Sequence, residues 1–404
     1  MDNGAKDAAL RERAANVIPG GMYGHMAMGA RMPANYPQFF ARAKGARLWD
    51  VDGNEYIDYI CSYGPMIAGY GNERIAARAE AQRGSIDIGN GPAANVVELA
   101  ERLVGTVAHA DWAVFSKNGN DATTTCVMAA RAHRGRSKVL VARGAYHGSQ
   151  PWANRRAPGA PGTEHDAFPV YDFNDVASAE AAVREHSGDI AGIMVSAFRH
   201  DAGSHQELVD PNFAAAVRRL CDQEDAALIL DDVRAGFRLS LDASWSLLGI
   251  RPDLSAWGKA IANGEPLAAT LGSERFRDAM KSVFVTGSFW YQSAPMAAAL
   301  ETLDVLHEEN APARLEALGQ RLRDGIDEVA RLHQERIRQS GPPQMPAVMF
   351  EDDPQCERGL ALCSGLIERG IYFHPWHNMF LSLAHTEDDI DRTIEAVDAA
   401  MGEL

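Results

Sequence analysis

Basic residues are in deficit: 39 Lys and Arg stand against 55 Asp and Glu, a formal net charge of −16. A chain of that sign repels phosphate backbones and anionic headgroups, which argues against nucleic acid and membrane surfaces as main partners. Long apolar runs are missing too, and none approaches the roughly 20 residues of a membrane span. The opening Met1-Asp-Asn-Gly-Ala-Lys-Asp7 is polar and lacks the apolar stretch of a secretion signal. Cysteine is sparse: Cys61, Cys126, Cys221, Cys356 and Cys363 show no Cys-x-x-Cys or paired zinc spacing. An odd number of thiols without a secretion signal predicts reduced cysteines in a cytoplasmic protein.

What is present is a regular alternation of strand and helix over 404 residues, long enough for one large domain with a smaller companion. A helix is expected over Ala8 to Ala15, stopped by Pro19-Gly20-Gly21. Met22 to Pro37 has neither periodicity, and Phe39 to Tyr59 reads as a strand meander turning at Asp52-Gly53-Asn54. Helical spacing follows at Val96, Leu99, Ala100, Leu103 and Val104. Strands Ala113–Phe115, Lys138–Ala142, Ile190–Val195 and Ala227–Leu230 then alternate with helices Thr123–Ala132, Val176–Arg184 and one opening at Asp210-Pro211. Residues 151 to 173 read as a surface excursion. The alternation has no Gly-x-Gly-x-x-Gly after its first strand, so a parallel sheet is predicted that does not bind a dinucleotide. Past Pro295 come helices to about Arg336, strands Met345–Phe350, Gly370–Phe373 and Met379–Leu383, and a closing amphipathic helix Glu387–Ala400. The expected division is 1–60 as an N-terminal segment, 61–300 as a large domain and 301–404 as a small C-terminal domain.

Two stretches carry chemistry. The apolar run Ala226 to Leu230 ends abruptly in Asp231-Asp232, which places carboxylates at the carboxyl edge of a parallel sheet, where α/β proteins bind ligands. Some way on stands Lys259, alone among small residues in Trp257-Gly258-Lys259-Ala260. An Asp that keeps a pyridinium nitrogen protonated and a Lys that forms a Schiff base are the minimum set for pyridoxal phosphate chemistry. Upstream, Ser116-Lys-Asn118-Gly119-Asn120-Asp121 joins a strand to a helix N-terminus. Orphan backbone N–H groups there suit either an anion or an ordinary cap.

Further motifs accompany them in order: Val17-Ile-Pro-Gly-Gly21, Leu48-Trp-Asp-Val-Asp-Gly-Asn-Glu-Tyr-Ile-Asp-Tyr59, Ser62-Tyr-Gly-Pro65, Lys117-Asn-Gly-Asn-Asp-Ala122, Tyr146-His-Gly148 and Ala384-His-Thr-Glu-Asp-Asp-Ile-Asp391. In these the chain resembles the class III, fold-type I pyridoxal-phosphate aminotransferases, in the branch of glutamate-1-semialdehyde aminomutase. The resemblance implies an α/β fold: a large domain with a mainly parallel seven-stranded sheet flanked by helices, and a smaller α+β domain from the N- and C-terminal parts. It implies a homodimer with the active site at the subunit boundary. It assigns the cofactor imine and proton transfer to Lys259, the ring nitrogen to Asp231, and the phosphate to Asn118, Gly119 and Asn120. Tyr146 stacks on the ring, Val233 packs on its face, and Thr286 or Ser288 completes the phosphate site of the neighbouring subunit. His147 either polarises the ring's surroundings or is a structural histidine, and Asp232 supports its loop.

Departures bear on substrate. Where the aminomutases place a Ser and an Arg after Ile-Pro-Gly-Gly, this chain has Met22-Tyr23-Gly24-His25-Met26-Ala27; Ser196-Ala197 replaces a Glu-Pro pair. Tyr23, His25, Arg199, Arg234, His374 and His377 are therefore the candidate substrate pocket, with cationic groups suited to a carboxylated or polyhydroxylated molecule. His374-Pro-Trp-His377 has no Cys or carboxylate at metal spacing, and no metal is expected. The expected activity is transfer of an amino group from an amino acid to a keto or aldehyde acceptor in biosynthesis, with an intramolecular aminomutase as the alternative.

Overall fold

The computed structural model describes residues 4–27, 32–154 and 165–404. Two compact units divide the chain, a smaller one of Met1–Asn72, Ala202–His205 and Ala313–Leu404 and a larger one of Glu73–Asp201 and Gln206–Pro312. In chain order the strands are β1 (Phe40–Lys44), β2 (Arg47–Asp50), β3 (Glu55–Asp58), β4 (Trp112–Ser116), β5 (Lys138–Ala142), β6 (Val170–Tyr171), β7 (Ile190–Ser196), β8 (Ala227–Asp231), β9 (Leu254–Trp257), β10 (Ala268–Gly272), β11 (Ile337–Ser340), β12 (Ala347–Phe350) and β13 (Ile371–Tyr372).

The larger unit holds a seven-stranded sheet in the order β4-β10-β9-β8-β7-β5-β6. Strands β9, β8, β7, β5 and β6 pair in parallel, while β10 runs antiparallel to both β9 and β4. Every residue of β7, β8, β9 and β10 is buried, so these strands read as unbroken apolar runs rather than alternating ones. The helix Gly119–Arg134 packs on this sheet through Ala122, Cys126, Val127, Ala129 and Ala130, small residues that let helix and sheet approach closely. The helix Pro211–Glu224 starts as its sequence dictates: Asp210 accepts from Asn212 N at 2.7 Å and Phe213 N at 3.2 Å, and Pro211 needs no donor partner. The fold expected from the sequence, a mainly parallel seven-stranded sheet with helices, is the fold observed.

The smaller unit carries a four-stranded sheet, β1-β2-β3-β13, and a separate β11–β12 pair. Asp50 builds the β2–β3 turn by accepting from Asp52 N and Asn54 N, and Gly53 takes a φ of 96° that side chains resist. The first helix runs Ala5–Val17, longer than its local pattern, because Asp52 accepts from Lys6 N and Asp7 N and so caps it from across the unit. Met379–Leu383 is not a strand. Its N–H groups go to Pro346, Tyr59, Gln344 and Ile67 in turn, so the segment threads between neighbours instead of following one ladder. Of the stretch 151–173, the described part includes β6; residues 155–164, like 28–31, lie outside the described residues. Among the described residues no helix is long and apolar enough to cross a membrane.

Close approach sets one position here. A Cβ on Gly319 would sit 2.0 Å from the Pro343 carbonyl oxygen, a backbone atom with nowhere to go. Gly319→Ala is expected to destabilise the fold by about 1–3 kcal/mol, the usual cost of overpacking, visible as a lower melting temperature with cofactor absorbance unchanged per folded molecule.

Candidate functional site

Four strand ends of the larger unit interlock. After β4, the turn at Asn118 leads into the helix Gly119–Arg134, and Asp121 Oδ2 accepts from Asn118 N at 2.9 Å, which fixes the turn. After β5, Ser149 N donates to Asn120 Oδ1 and Asn120 Nδ2 donates to Ser149 Oγ, each at 3.0 Å. Thr123 Oγ1 donates to the His147 carbonyl at 3.0 Å. A Cβ on Gly148 would lie 1.9 Å from Asn120 Oδ1, and one on Gly119 would lie 2.6 Å from Val233 Cγ1. A Cβ on Gly258 would meet Val233 at 3.3 Å and Gly119 at 3.7 Å. Gly119 is thus tightly enclosed by Val233 where the turns after β4 and β8 touch, and Gly258 after β9 packs against the same side chain.

Asp231 ends β8 almost fully buried. His147 Nδ1 lies 2.7 Å from its Oδ2, and Val233 N donates to Oδ1 at 3.1 Å. His147 is buried as well, and its Nε2 has no hydrogen-bond partner among the described residues. Asp232 turns away: Ser244 donates to it through both N and Oγ, at 2.8 and 2.6 Å. Burial lifts its carboxyl to about 7 against those bonds. The loop-supporting role expected for Asp232 is the one its contacts describe.

Lys259 follows β9 in a left-handed conformation, φ 45°, which a side-chain-bearing residue holds only when its surroundings impose it. Its amine is held well below the ordinary lysine range, first by burial, then by the cations Arg234 and Arg238, with Asp231 opposing. A lowered value enlarges the fraction of free amine at neutral pH. In the cofactor-free chain Lys259 is therefore expected to react with an amine-directed acylating reagent at pH 7 ahead of exposed lysines, read by peptide mass mapping; preferential labelling elsewhere would contradict the environment described.

Arg234 donates to the His200 carbonyl at 3.3 Å, and burial brings its guanidinium down to about 10. Arg199 behaves differently: its Nε lies 2.9 Å from Asp201 and its Nη1 3.8 Å from Glu207, so its charge is met within the unit. Tyr146 is about half exposed beside Arg234. Thr286 and Ser288 are exposed, on a segment where Phe284, Phe289 and Tyr291 are exposed too.

The remaining candidates belong to the smaller unit. His25, His374 and His377 gather around Tyr63, with ring centroids 4.7, 6.1 and 5.3 Å from it. His374 is buried, which drops it to about 3 and leaves it neutral, and its Nδ1 accepts from His377 N at 3.2 Å. Tyr23, two positions before His25, is exposed. Among the described residues no group of three His, Cys, Asp or Glu is arranged to hold a metal ion.

Sequence reasoning passed over Arg238 and His200. Arg238 is fully buried and acts on Lys259. His200 is buried with Nδ1 unpartnered among the described residues, and burial together with Arg234, His147 and Lys259 holds it well below the ordinary imidazole range. The signal for Arg238 was its place in Ala235-Gly-Phe-Arg238-Leu239, a charge inside an apolar stretch.

These residues fit pyridoxal phosphate. The Lys259 amine, the buried Asp231 carboxyl and the N-terminus of the helix Gly119–Arg134 suit its aldehyde, ring nitrogen and phosphate. The Gly119–Val233–Gly258 contact shapes the floor between them. Gly119→Ala displaces Val233 and is expected to weaken cofactor binding about tenfold by titration, the loss following a displacement worth ~1.4 kcal/mol.

A model of the family described as aminotransferase class-III matches residues 28–153 and 163–401. The aminopentol aminotransferase of Sphingopyxis macrogoltabida is 48% identical over 400 residues, covering 99% of this chain and 94% of that protein. The solved structure of the Sphingopyxis sp. MTA144 FumI protein, in its PLP internal aldimine form, superposes with a TM-score of 0.98 at 48% identity, covering 99% of this chain and 96% of that one. A glutamate-1-semialdehyde 2,1-aminomutase of Francisella philomiragia is 28% identical, over 98% of this chain and 97% of its own length.

Proposed function

The chain belongs to the class-III aminotransferase family, and from that membership we propose that it exchanges an amino group between an amino acid and the carbonyl form of a polyhydroxylated amine. It is a pyridoxal-phosphate-dependent aminotransferase, so an amino donor and a carbonyl acceptor are its substrates. When bound, the cofactor supplies an electron sink for negative charge at the substrate carbon.

The chain's own groups then divide the work. Backbone N–H groups of Gly119 and Asn120, at the head of their helix, bind the phosphate, and Asn118 sets the turn. Asp231, held in place by His147 and Val233 N, keeps the ring nitrogen protonated. Lys259 Nζ takes the proton from the amine-bearing carbon and returns it, a task its lowered basicity suits. Val233 and Tyr146 flank the ring. Thr286 or Ser288 serves the phosphate of a second copy in a homodimer whose active site lies at the subunit boundary. The exposed Phe284, Phe289 and Tyr291 beside them are side chains of the kind a partner covers. A cytoplasmic location and a biosynthetic role complete the reading.

The polyol assignment rests on one observation: the side chains gathered in the smaller unit are a phenol and three imidazoles, groups that hydrogen-bond hydroxyls. Similarity to an aminopentol aminotransferase supports it. Arg199, already neutralised by Asp201 and Glu207, contributes little, and Arg199→Ala is expected to move the KM of either substrate less than about twofold, as exposed ion pairs generally do. The aminomutase reading lacks its arginine after Gly21, and the aminomutase relatives stand at 28 to 31% identity against 48% for the aminopentol aminotransferase.

The test is the absorption spectrum of the cofactor-loaded protein against a panel of amines. Bleaching by an amino polyol, reversed by a keto acid, is expected. Isomerisation of a single amino aldehyde without any second substrate would instead establish the aminomutase.

A further inference from the structure

Three consecutive residues, Cys61, Ser62 and Tyr63, take φ values of 48°, 54° and 63°, followed by Gly64 at 112°. Side-chain-bearing residues avoid this region, and a run of three persists only where other contacts impose it. Those contacts come from Asp58. Its buried carboxyl accepts from Ile60 N at 2.8 Å, Cys61 N at 3.0 Å and the Tyr70 hydroxyl at 2.7 Å, and Tyr70 also meets Ser62 Oγ at 3.1 Å. The result is a rigid turn that projects Tyr63 away from the strand β3 preceding it.

Tyr63 uses that position in two ways. Its hydroxyl donates to the His25 carbonyl at 3.2 Å, and its ring meets His25 edge-on at 4.7 Å and His377 edge-on at 5.3 Å. Burial lifts the phenol to about 12, so it stays a donor across the working pH range. Residues 24–26 form a single short turn, and Gln38 Nε2 adds a bond of 2.6 Å to the Met26 carbonyl. Around Tyr63, then, segment 22–27, which departs from the aminomutase pattern, and the histidines of 374–377 share one ring.

We propose that Tyr63, fixed by the Asp58 turn, is the positioning residue for substrate recognition: it sets His25 and His377 at the spacing with which they take hydroxyl groups of the amine substrate. The proposal rests on the reading that those imidazoles contact substrate. Tyr63 itself touches no reacting atom in this scheme; it acts through the imidazoles.

The experiment compares Tyr63→Phe, Asp58→Asn and His25→Ala in the cofactor-loaded protein, with separate KM and kcat for an amino polyol and for the amino acid partner. Tyr63→Phe keeps the ring and removes one hydrogen bond, so KM for the polyol amine is expected to rise about fivefold, with kcat and the KM of the amino acid moving far less. Asp58→Asn should show the same selective rise. A merely structural role would lower melting temperature and depress both substrates equally, which would overturn the proposal. If His25→Ala raises the polyol KM and Tyr63→Phe does not, the positioning role fails while the substrate reading stands. If His25→Ala has no effect on that KM, the substrate reading fails first.

Discussion

A Lys259→Ala chain folds, takes up pyridoxal phosphate without a covalent link and turns over amino donors at least about 10³-fold more slowly, since a positioned general base alone contributes 10²–10⁴ and the covalent anchor is lost with it. The expectation follows from the environment rather than from the residue type. Burial with Arg234 and Arg238 nearby holds the amine well below the ordinary lysine range, and the left-handed backbone at φ 45° fixes where its side chain starts. Alanine tolerates that backbone no better than lysine, so circular dichroism and melting temperature must accompany the rate. A folded variant whose activity partly returns with added small primary amine would identify the lost group as the amine itself. Retention of more than a tenth of the wild-type rate would remove Lys259 from the mechanism.

Asp231→Asn is the second large effect: kcat falls by about 10²–10³, the usual consequence of removing one preorganised charge from a water-poor site, while cofactor affinity changes little. The phosphate turn is untouched by the substitution, and Lys259 loses only the charge that opposed its lowered basicity, so binding persists. What disappears is the negative charge that holds the ring nitrogen protonated, and with Asp231 buried no solvent replaces it. His147, 2.7 Å from Oδ2, then faces a neutral amide. His147→Ala should cost less than Asp231→Asn, because Val233 N still donates to Oδ1. A reversed order of those two losses, measured as kcat at saturating donor with bound cofactor quantified by absorbance, would show that the imidazole and not the carboxylate governs the ring.

Much of this was legible in the chain, and the reasons are local. An apolar run that stops at Asp231, a proline after Asp210 and the Asp52-Gly53-Asn54 turn each state their conformation within a few residues. The site residues of the larger unit were legible because β-α alternation places strand ends at one edge, and the turns carrying Asn118, His147, Asp231 and Lys259 all stand there. What could not be read depends on partners far along the chain. The cap that lengthens the first helix comes from Asp52, and the neutralisation of Arg199 comes partly from Glu207. Met379–Leu383 looked like a strand because it is apolar and buried, yet its backbone bonds go to four separate carbonyls. The left-handed run at Cys61–Tyr63 has no sequence signature of its own, since glycine, asparagine and aspartate, which mark such turns, are absent from those three positions.

The glycine contacts of the larger unit have a consequence for how such an enzyme changes over time. A side chain at Gly119 would have to displace Val233 and one at Gly148 would have to displace Asn120, so those positions have few neutral variants to explore. Segment 22–27 of the smaller unit is open to solvent and fastened by individual side-chain bonds, so many substitutions there cost little. New amine preferences can therefore arise by drift in one stretch of chain while the chemistry stays frozen in another, and a directed-evolution library confined to residues 22–27 should yield altered substrate range at a high proportion of folded, cofactor-competent members.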